Sequence, residues 1–184
     1  MSESGSAWGG PGAAPPQHAP RWYACYTQAR QEKKVEARLR ERGIESFLPL
    51  VPRIRQWHDR RKVVEFPLFP SYVFGRFPLS AYHRVLAVPG LSTVVRLNGH
   101  PAPISDEEIA NVARFAEALA ATGMDPEPVP FREGQRVRIA EGPFAGVEGI
   151  VLEARGRRRV LVGLRTIGVG FEIDISADAL RTLP

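Results

Sequence analysis

The sequence predicts an α+β protein with two domains, a ferredoxin-like sandwich joined by a flexible linker to a small all-β barrel. Across residues 21–120 the apolar periodicity changes in the order β-α-β-β-α-β and then adds one more helix. From 131 to 184 it indicates strands and turns only. Between them, residues 121–130 contain three prolines and one glycine, which predicts the linker. Residues 1–20, rich in Gly, Pro, Ala and Ser, are expected to form a disordered tail.

The first strand and first helix follow from local pattern. The aromatic run 22–27 predicts a strand. A helix is expected over 31–42, because Val35 and Leu39 are four residues apart and Gly43 stands where helices stop. Its other faces carry five Lys or Arg side chains.

Three further strands, a hairpin and a short helix complete the sandwich. Residues 44–51, 68–77 and 93–97 read as strands, and 80–88 reads as a short helix before Pro89-Gly90. The strongly basic stretch 53–62 is expected to form an extended hairpin arm.

The last helix and the barrel have clear signals. Ser105 with Glu108 forms a capping box, and apolar residues at three- and four-residue spacing continue through Leu119. Turn clusters such as 142–146 separate short alternating segments, which predicts five strands in a barrel near the lower size limit for an independent core. The main predicted strands are 135–139, 147–154, 160–162 and 171–175.

Composition and charge limit the classes of function that the sequence allows. The chain has a formal net charge of +5, with 12 basic against 6 acidic residues between 21 and 65, which favours a polyanionic partner. Cys25 is the only cysteine, so an internal disulfide is excluded and a reducing cytoplasm is expected. No apolar run reaches 18 residues and no secretory signal is evident, so no membrane association is predicted.

Catalytic motifs are missing from the sequence. There is no G-x-S-x-G, no glycine-rich phosphate loop and no H-E-x-x-H. The adjacent His58 and Asp59 have no positioned nucleophile or metal cluster beside them. We therefore predict no catalytic residue, no metal and no cofactor.

The strand predicted at 68–77 carries large apolar groups on both faces. Tyr72, Phe74 and Arg76 share one face by period two, and Val73 and Phe77 share the other. If helices cover one face, the aromatic face is expected to be open to a partner, since exposed apolar patches mark interfaces. The alternative is a strand buried on both sides.

Several motifs closely resemble the NusG family. The N-terminal NGN domain of that family is matched by Trp22-Tyr23, Phe69-Pro70-x-Tyr72-Val73 and residues 103–108. Its C-terminal KOW domain, an SH3-like barrel, is matched by residues 142–146 and by Gly149-Ile150-Val151. The resemblance covers residues 21–184 and divides them into 21–120, the linker 121–130 and 131–184.

This resemblance implies a transcription elongation factor that is not an enzyme and that acts by bridging parts of RNA polymerase. It places the contact with the RNA polymerase β′ clamp helices on Phe69, Tyr72 and Phe74. It places the β-subunit gate-loop contact near His83 and Arg84. A monomer that binds polymerase and promotes processive transcription or antitermination is the expectation.

Basic side chains are the candidates for contacts with non-template DNA and nascent RNA. On the first helix, and at the arginine-rich turn of the barrel, they are Lys33, Lys34, Arg38, Arg157 and Arg158.

The barrel departs from the housekeeping pattern. Residues 166–170 lack the Phe-Gly of that pattern, which argues against recruitment of Rho or of the NusE-type ribosomal protein. This favours a specialised, operon-specific paralogue of the RfaH type, with a barrel that does not change fold. The alternatives are a KOW-type RNA- or ribosome-binding protein of translation and, last, an enzyme using His58 or His83.

Overall fold

A computed structural model describes residues 19–57, 60–154 and 157–184 of the 184-residue chain. The N-terminal half contains a five-stranded antiparallel sheet, in which β2-β5-β1-β6 are neighbours in that order and β9 pairs with β1. Its elements are β1 (Arg21–Thr27), α1 (Glu32–Glu41), β2 (Glu45–Phe47), β3 (Leu50–Trp57), β4 (Arg60–Pro67), β5 (Tyr72–Phe77), α2 (Tyr82–Leu86), β6 (Leu91–Val94), β7 (Arg96–Leu97), β8 (His100–Pro101), β9 (Pro103–Ile104) and α3 (Asp106–Thr122).

The predicted α+β fold with a ferredoxin-like sheet is confirmed, with differences in single elements. Residues 44–51 form two strands instead of one, because Pro49 has no N–H for a ladder and separates β2 from β3. Strand β3 instead pairs with β4 as the expected hairpin arm. Strand β5 begins at Tyr72 because Ser71 adopts a left-handed conformation, with φ of 65°.

The C-terminal half is a barrel-like, six-stranded antiparallel sheet in the order β10-β14-β13-β12-β11-β15. Close approach of backbones requires glycine in it: a Cβ on Gly163 would lie 2.3 Å from the carbonyl oxygen of Val169. The strands are β10 (Pro128–Pro130), β11 (Arg136–Ile139), β12 (Glu148–Ala154), β13 (Arg157–Leu164), β14 (Val169–Asp174) and β15 (Leu180–Thr182).

The segment predicted as the linker, 121–130, forms regular secondary structure at both of its ends. Residues 121–122 continue α3, which stops at Gly123 in the left-handed conformation with φ of 67°. Residues 128–130 form the edge strand β10 against β14, a position that tolerates proline because one side of the strand has no partner. Residues 123–127 lie between α3 and β10 and belong to neither element.

The two faces of the N-terminal sheet pack against different partners. Tyr23 and Cys25 of β1 point into a core formed with α1 and α2. Trp22 and Ala24, which alternate with them, point into a second core that continues from β5 and α3 into the barrel. The two halves of the chain therefore share one core.

Candidate functional site

The candidate site is the aromatic face of β1 and β5, called here the aromatic face: Tyr26, Phe69, Tyr72 and Phe74. Period-two alternation brings Tyr26, Tyr72 and Phe74 to the same side of the sheet, and Phe69 packs edge-on against Phe74 with ring centroids 5.8 Å apart. The structure thus brings together the three residues predicted for clamp binding.

Phe69 is held by the turn that precedes β5. The buried carboxylate of Glu32, on α1, accepts a hydrogen bond of 2.8 Å from the backbone N–H of Ser71. The carbonyl of Ser71 in turn accepts from the N–H of Thr27 at 2.8 Å. These two bonds hold the left-handed Ser71 and fix the direction in which the 69–71 turn presents Phe69.

Two tyrosines form the open end of the aromatic face. Tyr26 is 42% exposed, and its ring meets that of Tyr72 edge-on with centroids 5.3 Å apart. Tyr72 is half-buried, and burial together with the neighbouring Tyr26 raises the pKa of its phenol. Both tyrosines present an apolar ring with a polar tip to a partner, and tyrosine is a type of side chain that is enriched at interfaces.

Helix α3 is fastened across the same side of the sheet. The indole Nε1 of Trp22 donates to Oδ1 of Asp106 at 2.9 Å, and Arg76 lies 3.6 Å from the same carboxylate. The capping box of Ser105 and Glu108 is present as predicted. These contacts set the start of α3, so its buried side faces the sheet.

The expectation that the aromatic face would be open is wrong over most of its area, because the barrel packs against it. Phe171 of β14 lies 5.4 Å from Phe69 and 6.0 Å from Phe115 of α3, between ring centroids, and Phe144 lies 5.8 Å from Phe115. As a result Phe74 is 0% and Phe69 1% exposed.

The sequence did not single out the residues that make this contact. Phe115 fits a helix core and Phe171 a barrel core, and nothing in their periodicity distinguishes an internal partner from another domain. Phe144, a large aromatic group in a Gly-Pro-rich turn, was the one available signal. Asn111 is half-buried on α3 and hydrogen-bonded to β12, and no sequence signal distinguishes it from other polar helix residues.

The proposed gate-loop residues lie on α2, on the opposite side of the sheet from the barrel. His83 and Arg84 are both exposed. The carbonyl of Arg84 accepts a hydrogen bond from Arg42 at 3.1 Å, which ties α2 to the end of α1. The side chains of both residues are placed where a partner could reach them.

The predicted nucleic-acid residues do not form one surface. Lys33 and Lys34 are exposed on α1, whereas Arg158 is exposed on the barrel, and the two elements pack on opposite faces of the sheet. Arg38 is half-buried and donates to the carbonyl of Pro89 at 2.7 Å, so it also fastens α1 to the turn before β6. Arg157 is the first residue of β13.

Carboxylates partly neutralise the positive charge of the barrel surface next to Arg157 and Arg158. Arg159 donates to Glu172 at 3.0 Å and to Asp174 at 3.2 Å, and these carboxylates raise the pKa of its guanidinium. A single 3-10 turn, Arg165–Ile167, overlaps the start of the 166–170 segment and ends at Gly168, with φ of 68°.

Within the part of the chain that the structure describes, no group of three His, Cys, Asp or Glu side chains could hold a metal ion. His58 and Asp59 lie outside the described residues. In the same described ranges, no helix is both long enough and apolar enough to cross a bilayer.

Comparison with protein families identifies the chain. The family model described as "Transcription termination factor nusG" matches residues 20–113. The transcription termination/antitermination protein NusG of Thermus thermophilus is 31% identical over 176 residues, covering 84% of this chain and 95% of its own. The chain belongs to the NusG family.

Other NusG relatives agree. The protein of the same name from Campylobacter jejuni is 30% identical over 145 residues, covering 72% of this chain and 80% of its own. Among solved structures, one described as "Domain interaction in Thermotoga maritima NusG" aligns over 90% of this chain and 98% of its own, at 24% identity and a TM-score of 0.47. The Thermus and Campylobacter relatives are named as transcription termination/antitermination proteins, and the comparisons do not separate a specialised paralogue from the other members.

Proposed function

We propose that this protein is a non-enzymatic transcription elongation factor that binds RNA polymerase through the aromatic face. The observation that carries the proposal is the contact of the exposed Tyr26 with the half-buried Tyr72, continuous with Phe69 and Phe74, in a chain of the NusG family. A few aromatic anchors commonly supply most of the energy of such a contact. The partner of the face is the β′ clamp helices.

The remaining contacts follow from the same orientation. His83 and Arg84, exposed on the other side of the sheet, reach the β-subunit gate loop, so that the domain bridges the two subunits. Lys33, Lys34 and Arg38 approach non-template DNA, and Arg157 and Arg158 approach nascent RNA. Because these are contacts with phosphates, they contribute salt-dependent, sequence-independent affinity.

The effect on transcription is processive elongation or antitermination by a monomer in the cytoplasm, at a particular operon. The operon-specific role rests on residues 166–170, which lack a phenylalanine that could anchor Rho or a ribosomal protein. We place the boundary between the polymerase-binding domain and the barrel within residues 123–127, which join α3 to β10.

The test is the affinity of the full chain for purified bacterial core RNA polymerase, measured by biolayer interferometry at moderate salt. Replacing Tyr72 by alanine should weaken binding at least about 30-fold, the loss expected of an interface anchor of 2 kcal/mol or more. Leu97→Ala is the control, because Leu97 is an exposed apolar side chain on β7, outside the aromatic face and outside the proposed gate-loop contact.

The alternative, an RNA- or ribosome-binding protein of translation, predicts a different pattern. Its affinity would follow Arg158 at the barrel turn, and Tyr72→Ala would have no effect. Failure of the wild-type chain to bind polymerase would reject the elongation-factor proposal.

A further inference from the structure

The hairpin arm formed by β3 and β4 extends away from both hydrophobic cores. Of the described side chains in these two strands, those that pack into the cores are Leu50 and Val51, at the base of β3. Further out, Ile54 and Val63 pair across the strands and remain 70% and 63% exposed. A two-stranded hairpin on its own is marginally stable at best. Packing within the chain therefore does not account for the arm.

Four basic side chains lie on one face of the arm. Two of them alternate along β3, and the two of β4 lie on the same face, because Lys62 pairs with Arg55 and Arg60 pairs with Trp57 across the strands. Neither strand has an Asp or Glu on this face. These four side chains are called here the basic face: Arg53, Arg55, Arg60 and Lys62.

The pairing of Arg55 with Lys62 destabilises the arm in the isolated chain, because like charges directly opposite each other in an antiparallel pair repel. Both side chains are exposed, as is Arg60. The ion pairs among the described residues include none with these three side chains, whereas Arg53, nearer the base, pairs with Asp125 at 2.7 Å. A polyanion bound to the basic face would relieve this repulsion.

An aromatic ring orients two of the arginines. The guanidinium carbons of Arg53 and Arg55 lie over the ring of Phe66, 5.6 and 5.0 Å from its centroid. A guanidinium held against an aromatic ring is attracted to it, and its planar fork of N–H donors is already oriented before a ligand arrives. Oriented guanidinium groups beside an ammonium group are suited to bind phosphate oxygens.

The opposite face of the arm has a different composition. Ile54 and Val63 lie on it, and its two charged residues, Arg61 and Glu65, have charges that cancel. Surface charge that serves solubility alone is expected with both signs interspersed. The concentration of positive charge on one face therefore indicates a polyanionic partner on that side.

We propose that the basic face binds the phosphate backbone of double-stranded DNA, with the arm lying in the groove as a β-ribbon. The major groove of B-DNA is about 12 Å wide and admits a two-stranded ribbon. The eight-residue strands span about 27 Å, which places the four basic side chains along the groove. This contact requires no polymerase, and it lies on a different element from the DNA and RNA contacts proposed for α1 and for the barrel turn.

The experiment measures binding of the full-length chain to a fluorescein-labelled DNA duplex of mixed sequence, by fluorescence anisotropy at several salt concentrations between 50 and 200 mM. Four chains are compared: wild type, Arg55→Ala, Arg55→Ala with Lys62→Ala, and Arg61→Ala. Arg61→Ala is the matched control, because it removes the same charge from the other face of the same arm. All three positions are exposed, and thermal unfolding verifies that each variant is folded.

Each phosphate contact contributes about 0.9 to the steepness with which log K falls against log salt concentration. Arg55→Ala should therefore reduce the slope by about 0.9 and the affinity about 10-fold at 50 mM salt, and the double variant should reduce the slope by about twice as much. Arg61→Ala should keep the wild-type slope. Equal slopes for all four folded chains would overturn the proposal, as would equal losses from Arg55→Ala and Arg61→Ala, which would show a response to net charge alone.

Two further probes distinguish duplex DNA from other nucleic acids. They are single-stranded DNA and an RNA duplex of the same sequence, whose major groove is too deep and narrow for side chains to read. We expect the wild-type chain to bind the DNA duplex more tightly than either probe. Equal or tighter binding to either would overturn the β-ribbon assignment. The proposed function would stand in that case, because the Tyr72 test measures polymerase binding through a different surface.

Discussion

At the scale of single residues, Cys25 has an unusual environment. It lies on β1 inside the core formed with α1 and α2, and its side chain is fully buried. Burial raises the pKa of the thiol from its ordinary 9.0 to about 12, because the interior disfavours the thiolate. The folded chain therefore keeps a proton that the unfolded chain releases at alkaline pH.

This difference makes stability depend on pH in a known direction. Between about pH 9 and pH 12 the unfolded state binds fewer protons, so the free energy of unfolding falls as pH rises, by up to about 1.4 kcal/mol per pH unit. Urea unfolding of wild type and Cys25→Ala at pH 8.0, 9.5 and 10.5 measures this fall in the free energy of unfolding. The stability advantage of wild type over the variant should shrink with pH; a constant difference would contradict the assignment.

At the scale of elements, α3 depends on its first turn. The Ser105 hydroxyl accepts from the N–H of Glu108 at 3.1 Å, and Glu108 accepts in return from the N–H of Ser105 at 3.0 Å. Three acidic residues in that turn add a favourable interaction with the helix dipole. The helix in turn carries Phe115 and Asn111, which contact the barrel, so its stability supports the contact between the two halves.

Ser105→Ala should lower the free energy of unfolding by about 1 kcal/mol, since it removes one side of the capping box. Ser176→Ala is the matched control, because Ser176 precedes a short 3-10 turn and its side chain makes no capping hydrogen bond. Chemical denaturation of the full chain measures both. Equal losses from the two substitutions would mean that the box contributes nothing.

Elements with a strong local signal could be predicted from the sequence, and those decided by one backbone angle or one proline could not. The capping box and the apolar period of α3 were sufficient to predict that helix, and the basic stretch 53–62 was sufficient to predict the hairpin arm of β3 and β4. The start of β5 at Tyr72 depends on Ser71, whose left-handed backbone is held by Glu32, a residue 39 positions earlier. A local pattern contains no such information.

At the scale of the whole molecule, the same limit applies to the site. Period two correctly placed Tyr72 and Phe74 on one face of the sheet, and a partner for that face was expected. That the partner is the chain's own barrel depends on Phe171 and Asn111, whose individual patterns fit an ordinary strand and an ordinary helix. Contacts between domains depend on surface shape, which residue spacing along the chain does not encode.

The central claim, that the aromatic face binds RNA polymerase, is tested most directly by site-specific photo-crosslinking. A benzoylphenylalanine side chain would replace Tyr26, at the exposed end of the face, and in separate chains Arg158 of the barrel or Leu97 of β7, both exposed. Each chain is bound to core RNA polymerase, irradiated and analysed by mass spectrometry. We expect position 26 to crosslink to the β′ subunit and position 97 to give no product. Crosslinks from position 158 alone, under conditions where the chain binds, would contradict the account.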